Sequence, residues 1–88
     1  MALYVQFLRK QDREPEPLAT VDNVICAELG AATDKRSWFY DWYSVLGFKL
    51  ASGSTLAQLR SEHADDQLML RIIDAIDKHY SIHAYFGR

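Results

Sequence analysis

Cysteine occurs once in the 88 residues, at Cys26, a scarcity that excludes an internal disulfide framework and a cysteine-rich zinc site. A reducing, cytoplasmic compartment is the resulting expectation. No apolar run approaches the roughly 20 residues that a membrane-spanning helix needs. Residues 1–8 are apolar, but with no basic residue before them and no small-residue cleavage pattern after them they do not read as a signal peptide. Positive charge is thin as well: the ten Lys and Arg residues never stand more than two together, at Arg9-Lys10 and Lys35-Arg36, and the formal net charge is −2. Duplex binding rests on a dense basic face that neutralises phosphates, so a protein partner is expected before a nucleic acid. Proline is confined to Pro15 and Pro17, inside the charged stretch 9–17, which reads as a solvated connector.

What remains is the composition of a folded domain. Hydrophobic residues make up 49% and charged residues 25%, which argues against disorder. A chain of this length holds one domain, residues 1–88, able to fold without staples. Leu3, Val5 and Phe7 alternate with Tyr4, Gln6 and Leu8, the period of a half-buried strand over residues 2–9. Thr20 is a candidate N-cap for a helix over 21–29, which places Val21, Val24, Ile25 and Leu29 on one stripe and ends at Gly30. From Lys35 the helical wheel sets Trp38, Phe39, Trp42, Tyr43, Val45, Leu46 and Leu50 on one arc. Tyr40 and Phe48 fall off that arc, and Lys49 projects into it unless the helix bends or stops at Gly47, a weak helix residue.

Ser52-Gly53-Ser54-Thr55 reads as a breaker followed by a cap, opening a short helix around Leu56 and Leu59. Residues 65–80 carry the clearest helical stripe, Leu68, Met69, Ile72, Ile73, Ala75, Ile76 and Tyr80, with Asp74 and Lys78 set to pair on the opposite side. Residues 81–86 alternate as a last strand. The expected fold is α+β: N- and C-terminal strands paired as a small sheet over three or four helices. One sheet face would bury Leu3, Val5, Phe7, Ile82, Ala84 and Phe86, and its reverse would offer Tyr4, Gln6, His83 and Tyr85.

Chemistry has few candidates. Glu62-His63-Ala64-Asp65-Asp66 lacks calcium-loop spacing and its central glycine, and reads as a turn in which Asp65 or Asp66 caps the next helix. His79 and His83 straddle a helix end and a strand start, which loses the geometry of two helical zinc ligands. Cys26 has no base within a turn, so no nucleophile, metal site or cofactor is indicated. Gly30 to Asp34 between two helices has the outline of a helix-turn-helix over residues 21–46, with Lys35 and Arg36 placed for phosphate or base contacts. The large aromatics of its second helix are unlike a reading surface.

Aromatics are the surplus. Trp38, Phe39, Tyr40, Trp42 and Tyr43 fill five of six consecutive positions, and side chains about 100° apart on a helix cannot all face one core. Tyr and Trp are the usual anchors of protein interfaces. Tyr40, Phe48, Lys49, Tyr4 and Tyr85 are therefore the candidate partner-binding residues of a non-enzymatic interaction module, with a second copy of the chain among the candidate partners.

The run Val21-Asp22-Asn23-Val24-Ile25-Cys26, with Leu29-Gly30, Trp42, residues 47–53, Tyr80 and Tyr85-Phe86-Gly87-Arg88, resembles small uncharacterised proteins encoded by phages and prophages, over residues 21–88. The resemblance brings no active site. It implies a compact accessory protein acting by stoichiometric binding, as inhibitor or adaptor of a host or defence protein in the bacterial cytoplasm.

Overall fold

The computed structural model describes the backbone of residues 2–30 and 42–87 and the side chains of residues 4–30 and 42–85. Strand β1 (Ala2–Arg9) lies at the centre of a three-stranded antiparallel sheet of order β2-β1-β3, between β2 (Pro15–Glu16) and β3 (Tyr80–Gly87). The terminal strands pair along their whole length, from Ala2 opposite Gly87 to Arg9 opposite Tyr80. The α+β fold expected from the strand and helix periods is the fold found.

The charged connector is more ordered than a solvated loop. Arg9 donates to the Asp12 carboxylate, the same carboxylate accepts from the Glu14 N–H, and Arg13 takes a left-handed φ of 63° as the chain doubles back. That turn lays Pro15 and Glu16 against Leu8 and Phe7 as β2. Proline fits there because an edge strand has one unpaired side.

Helix α1 (Leu18–Leu29) starts two residues before Thr20, on Pro17, with no side-chain cap; a proline at the boundary has no N–H to leave unsatisfied. Gly30 closes it at φ 64°, as its lack of a Cβ allows. The π-helical segment Tyr43–Gly47 runs directly into a single α-turn, α2 (Phe48–Ala51). Thr55 and Gln58 then form a reciprocal capping box at the start of α3 (Leu56–Glu62). Asp66 caps α4 (Gln67–His79) by accepting from the Met69 N–H. Tyr80, expected as the last residue of the helical stripe, is instead extended and opens β3.

The core gathers Phe7, Val21, Ile25, Trp42, Leu46, Leu50, Leu59, Ile72, Ile73, Ile76 and Tyr80 between the sheet and the helices. Phe7 meets both Trp42 and Tyr80 edge to face, with centroids 6.1 Å apart in each case. Two apolar positions depart from the expected stripes: Val45 and Leu68 are exposed. Ala84, expected on the buried face of the sheet, is also exposed. Tyr4, His83 and Tyr85 on the outer face are exposed as expected, whereas Gln6 is half-buried.

Candidate functional site

The Lys10 N–H donates to the His79 carbonyl, one step beyond the Arg9–Tyr80 pair at which the β1–β3 register ends. That fixes the phase of the ladder: even-numbered residues of β1 turn their backbone groups toward β3, and odd-numbered residues turn theirs the other way. Arg9 confirms it, since its N–H goes to Glu14 on the β2 side. But β2 ends at Glu16, opposite Phe7. Beyond it, Leu3 and Val5 direct their N–H and C=O groups to an edge that no strand among the described residues completes.

A groove of about 720 Å³ opens beside that edge. Tyr4 and Val5 of β1 form one wall and Leu18, the first residue of α1, another. Tyr43, Ser44 and Gly47 of the π-helical segment line it further, with Phe48 and Ala51 of α2. Phe48 is 72% exposed, a large apolar ring standing in water at the rim. Gly47 shapes the floor: a Cβ there would sit 2.8 Å from the Tyr43 ring, so glycine permits the ring's close approach.

The groove joins two of the candidate residues, Tyr4 and Phe48, from distant parts of the chain. Tyr85 adjoins it through Tyr4, on which it stacks at 5.4 Å, and His83 stacks on Tyr85 in turn at 5.3 Å. Lys49 lies elsewhere, its Nζ 2.8 Å from Glu62 Oε1, where it ties α2 to α3. Hydrogen bonding from Lys49 holds the Glu62 carboxyl below its ordinary range. Tyr40, and Lys35 and Arg36 of the nucleic-acid reading, lie outside the described residues. Val5, Leu18 and Ala51 were missed as lining residues. Nothing in their spacing marks them, since three separate elements bring them together.

The remaining polar clusters serve the fold. Glu62 pairs with Lys49 and Asp66 caps α4, which accounts for two carboxylates of the acidic turn. Asp74 and Lys78 do not pair with each other: Asp74 takes Arg60 of α3 at 2.7 Å, and Lys78 reaches Glu28 of α1 at 2.7 Å. Arg9, Lys10, Lys78 and His79 converge on a smaller cleft of about 310 Å³. Each already has a partner there, Asp12, the Asp77 carbonyl and, for the last two, Glu28. Hydrogen bonds from Lys78 and His79 hold the Glu28 carboxyl low, and burial pushes the Tyr80 phenol up. Among the described residues no three His, Cys, Asp or Glu side chains converge as metal ligands, and Cys26 is buried.

Comparison with protein-family models, with curated proteins and with solved structures finds no match to this chain.

Proposed function

We propose that the chain is a non-enzymatic protein-interaction module that accepts an extended apolar segment of a partner protein along the open edge of β1. The observation that carries the reading is the coincidence of two unfinished features. Phe48 stands 72% exposed beside the stretch of β1 that β2 does not reach. An added strand obtains affinity from main-chain hydrogen bonds and specificity from pockets for alternate side chains. Leu3 and Val5 offer the first, and the groove between Tyr4, Leu18, Tyr43 and Phe48 offers the second. The resemblance to phage and prophage proteins extends the proposal: the partner is a host or defence protein in the bacterial cytoplasm, and the action is stoichiometric inhibition or adaptation.

Selection from a random peptide library on the intact chain tests this. Extended apolar sequences should emerge, and they should slow exchange of the Leu3 and Val5 amides. Phe48→Ala should weaken their binding by about tenfold or more, the behaviour of a central aromatic anchor, while thermal unfolding is unchanged. If no peptide is enriched, or if the enriched peptides bind Phe48→Ala as tightly as the parent chain, the groove is not a docking site.

A further inference from the structure

The other side of the sheet is also open. β3 is an edge strand, and the phase fixed by Lys10 and His79 turns the backbone groups of Ser81, His83, Tyr85 and Gly87 toward β1. Those of Ile82, Ala84 and Phe86 therefore point off the sheet. The Tyr80 N–H is consumed by the Ile76 carbonyl at the end of α4, so the free lane begins at the Tyr80 carbonyl. Among the described residues no strand pairs with this lane.

Exposed edges are normally guarded by lysine, proline, an inward charge or a bulge. β3 carries none of these. Its sequence Tyr-Ser-Ile-His-Ala-Tyr-Phe-Gly contains no Lys, Arg, Asp, Glu or Pro, and its register with β1 runs unbroken over eight pairs. We infer that β3 pairs antiparallel with β3 of a second copy about a two-fold axis at Ala84, joining two sheets into one of six strands.

The occupant follows from charge and symmetry. A two-fold contact brings the same segment to both sides, and a segment without charged side chains meets its own copy without placing like charges opposite. The Ala84 register also has the correct phase, with Ile82, Ala84 and Phe86 facing Phe86, Ala84 and Ile82 of the second copy. Between those pairs His83 stands opposite the second copy's Tyr85, the close non-hydrogen-bonded arrangement that favours aromatic cross-strand contact. The ring stack already present within the chain, Tyr4 on Tyr85 and Tyr85 on His83, then continues across the axis. An axis at His83 instead would set the two imidazoles opposite each other. The groove takes Tyr4 and Val5 from the sheet and no residue of β3, so the two-fold contact uses none of its lining residues.

Light scattering and sedimentation of the full chain should give twice the monomer mass of 10.1 kDa, with dissociation on dilution. Ala84→Lys places two ammonium groups face to face on the axis and should weaken the dimer about tenfold. Ala84→Glu should do the same alone, and an equimolar mixture of the two variants should restore dimers as heterodimers. Ala84→Pro removes only an outward N–H and should give a folded monomer by circular dichroism. Leu68→Lys, a charge added to the exposed side of α4, should leave the dimer unchanged, as should Phe48→Ala. A wild-type chain that stays monomeric throughout the micromolar range overturns the proposal, and so does a dimer indifferent to both Ala84 charges or one that the mixture fails to restore.

Discussion

Among the described residues Asp22 is the one polar or charged residue with a buried side chain, 7% exposed, and its partner is Trp42. The indole Nε1–H donates to Asp22 Oδ1 at 2.8 Å, which fixes the ring between Phe7 and Tyr43. An indole N–H left without an acceptor in this core would keep its full desolvation penalty, whereas the bond itself adds little net. Asp22→Ala should therefore lower unfolding free energy in urea by about 1–3 kcal/mol. Asp22→Asn keeps an acceptor oxygen and should cost less than half as much; equal losses would show that the carboxylate charge, not the acceptor, holds Trp42. At this scale the aromatic surplus divides: Trp42 is wholly buried and Phe48, six residues on, is not. Trp38, Phe39 and Tyr40 lie outside the described residues.

Between elements, the informative departure is the π-helical segment Tyr43–Gly47. A π-turn inserts a residue into the helical repeat and rotates everything after it. Trp42, Leu46 and Leu50, spaced by four, stay in the core, while Val45, at the edge of the apolar arc on a regular wheel, comes out to solvent and Lys49, inside that arc on a regular wheel, lies against Glu62 instead. Gly47 is the last residue of the segment, and the Tyr43 ring occupies the space that a Cβ there would need. Gly47→Ala gains about 1 kcal/mol of helix propensity yet must displace a ring packed against Trp42. We expect a net loss of about 1–3 kcal/mol, largely recovered in Gly47→Ala/Tyr43→Ala by double-mutant cycle; additive losses would refute the steric account. The same segment marks where sequence stops being legible. β1, α4 and the caps at Thr55 and Asp66 are readable because each repeats one period or obeys one local bond. A π-turn breaks the period without a marker other than a glycine, and Tyr80 changes from helix to strand because pairing with Arg9 outweighs its place on the α4 stripe.

Across the whole molecule the candidate site was legible only in parts. Phe48 and Tyr4 could be singled out as surplus rings, but their meeting in one groove depends on α1, the π-helical segment and β1 arriving together, which no spacing encodes. Four of the ion pairs are equally long-range, joining α2 to α3 through Lys49 and Glu62, α3 to α4 through Arg60 with Asp74 and Asp77, and α4 to α1 through Lys78 and Glu28. Exposed pairs add little each, yet they leave a common signature in acid. Arg9 holds the Asp12 carboxyl below its ordinary value of 3.8, and Lys78 and Lys49 hold Glu28 and Glu62 below 4.5. A carboxyl whose folded pKa is depressed contributes stability above its unfolded pKa, and that contribution drains away as pH falls through the folded value. These three groups should leave the thermal midpoint flat between about pH 7 and 5 and lower it below about pH 4.5. Lys78→Met should lower the neutral plateau slightly and converge with the parent chain in acid, which flattens the acid limb, and added salt should act in the same direction by screening. An acid limb unchanged in Lys78→Met would mean that the tie between α4 and α1 is carried by apolar packing alone, with Glu28 a bystander.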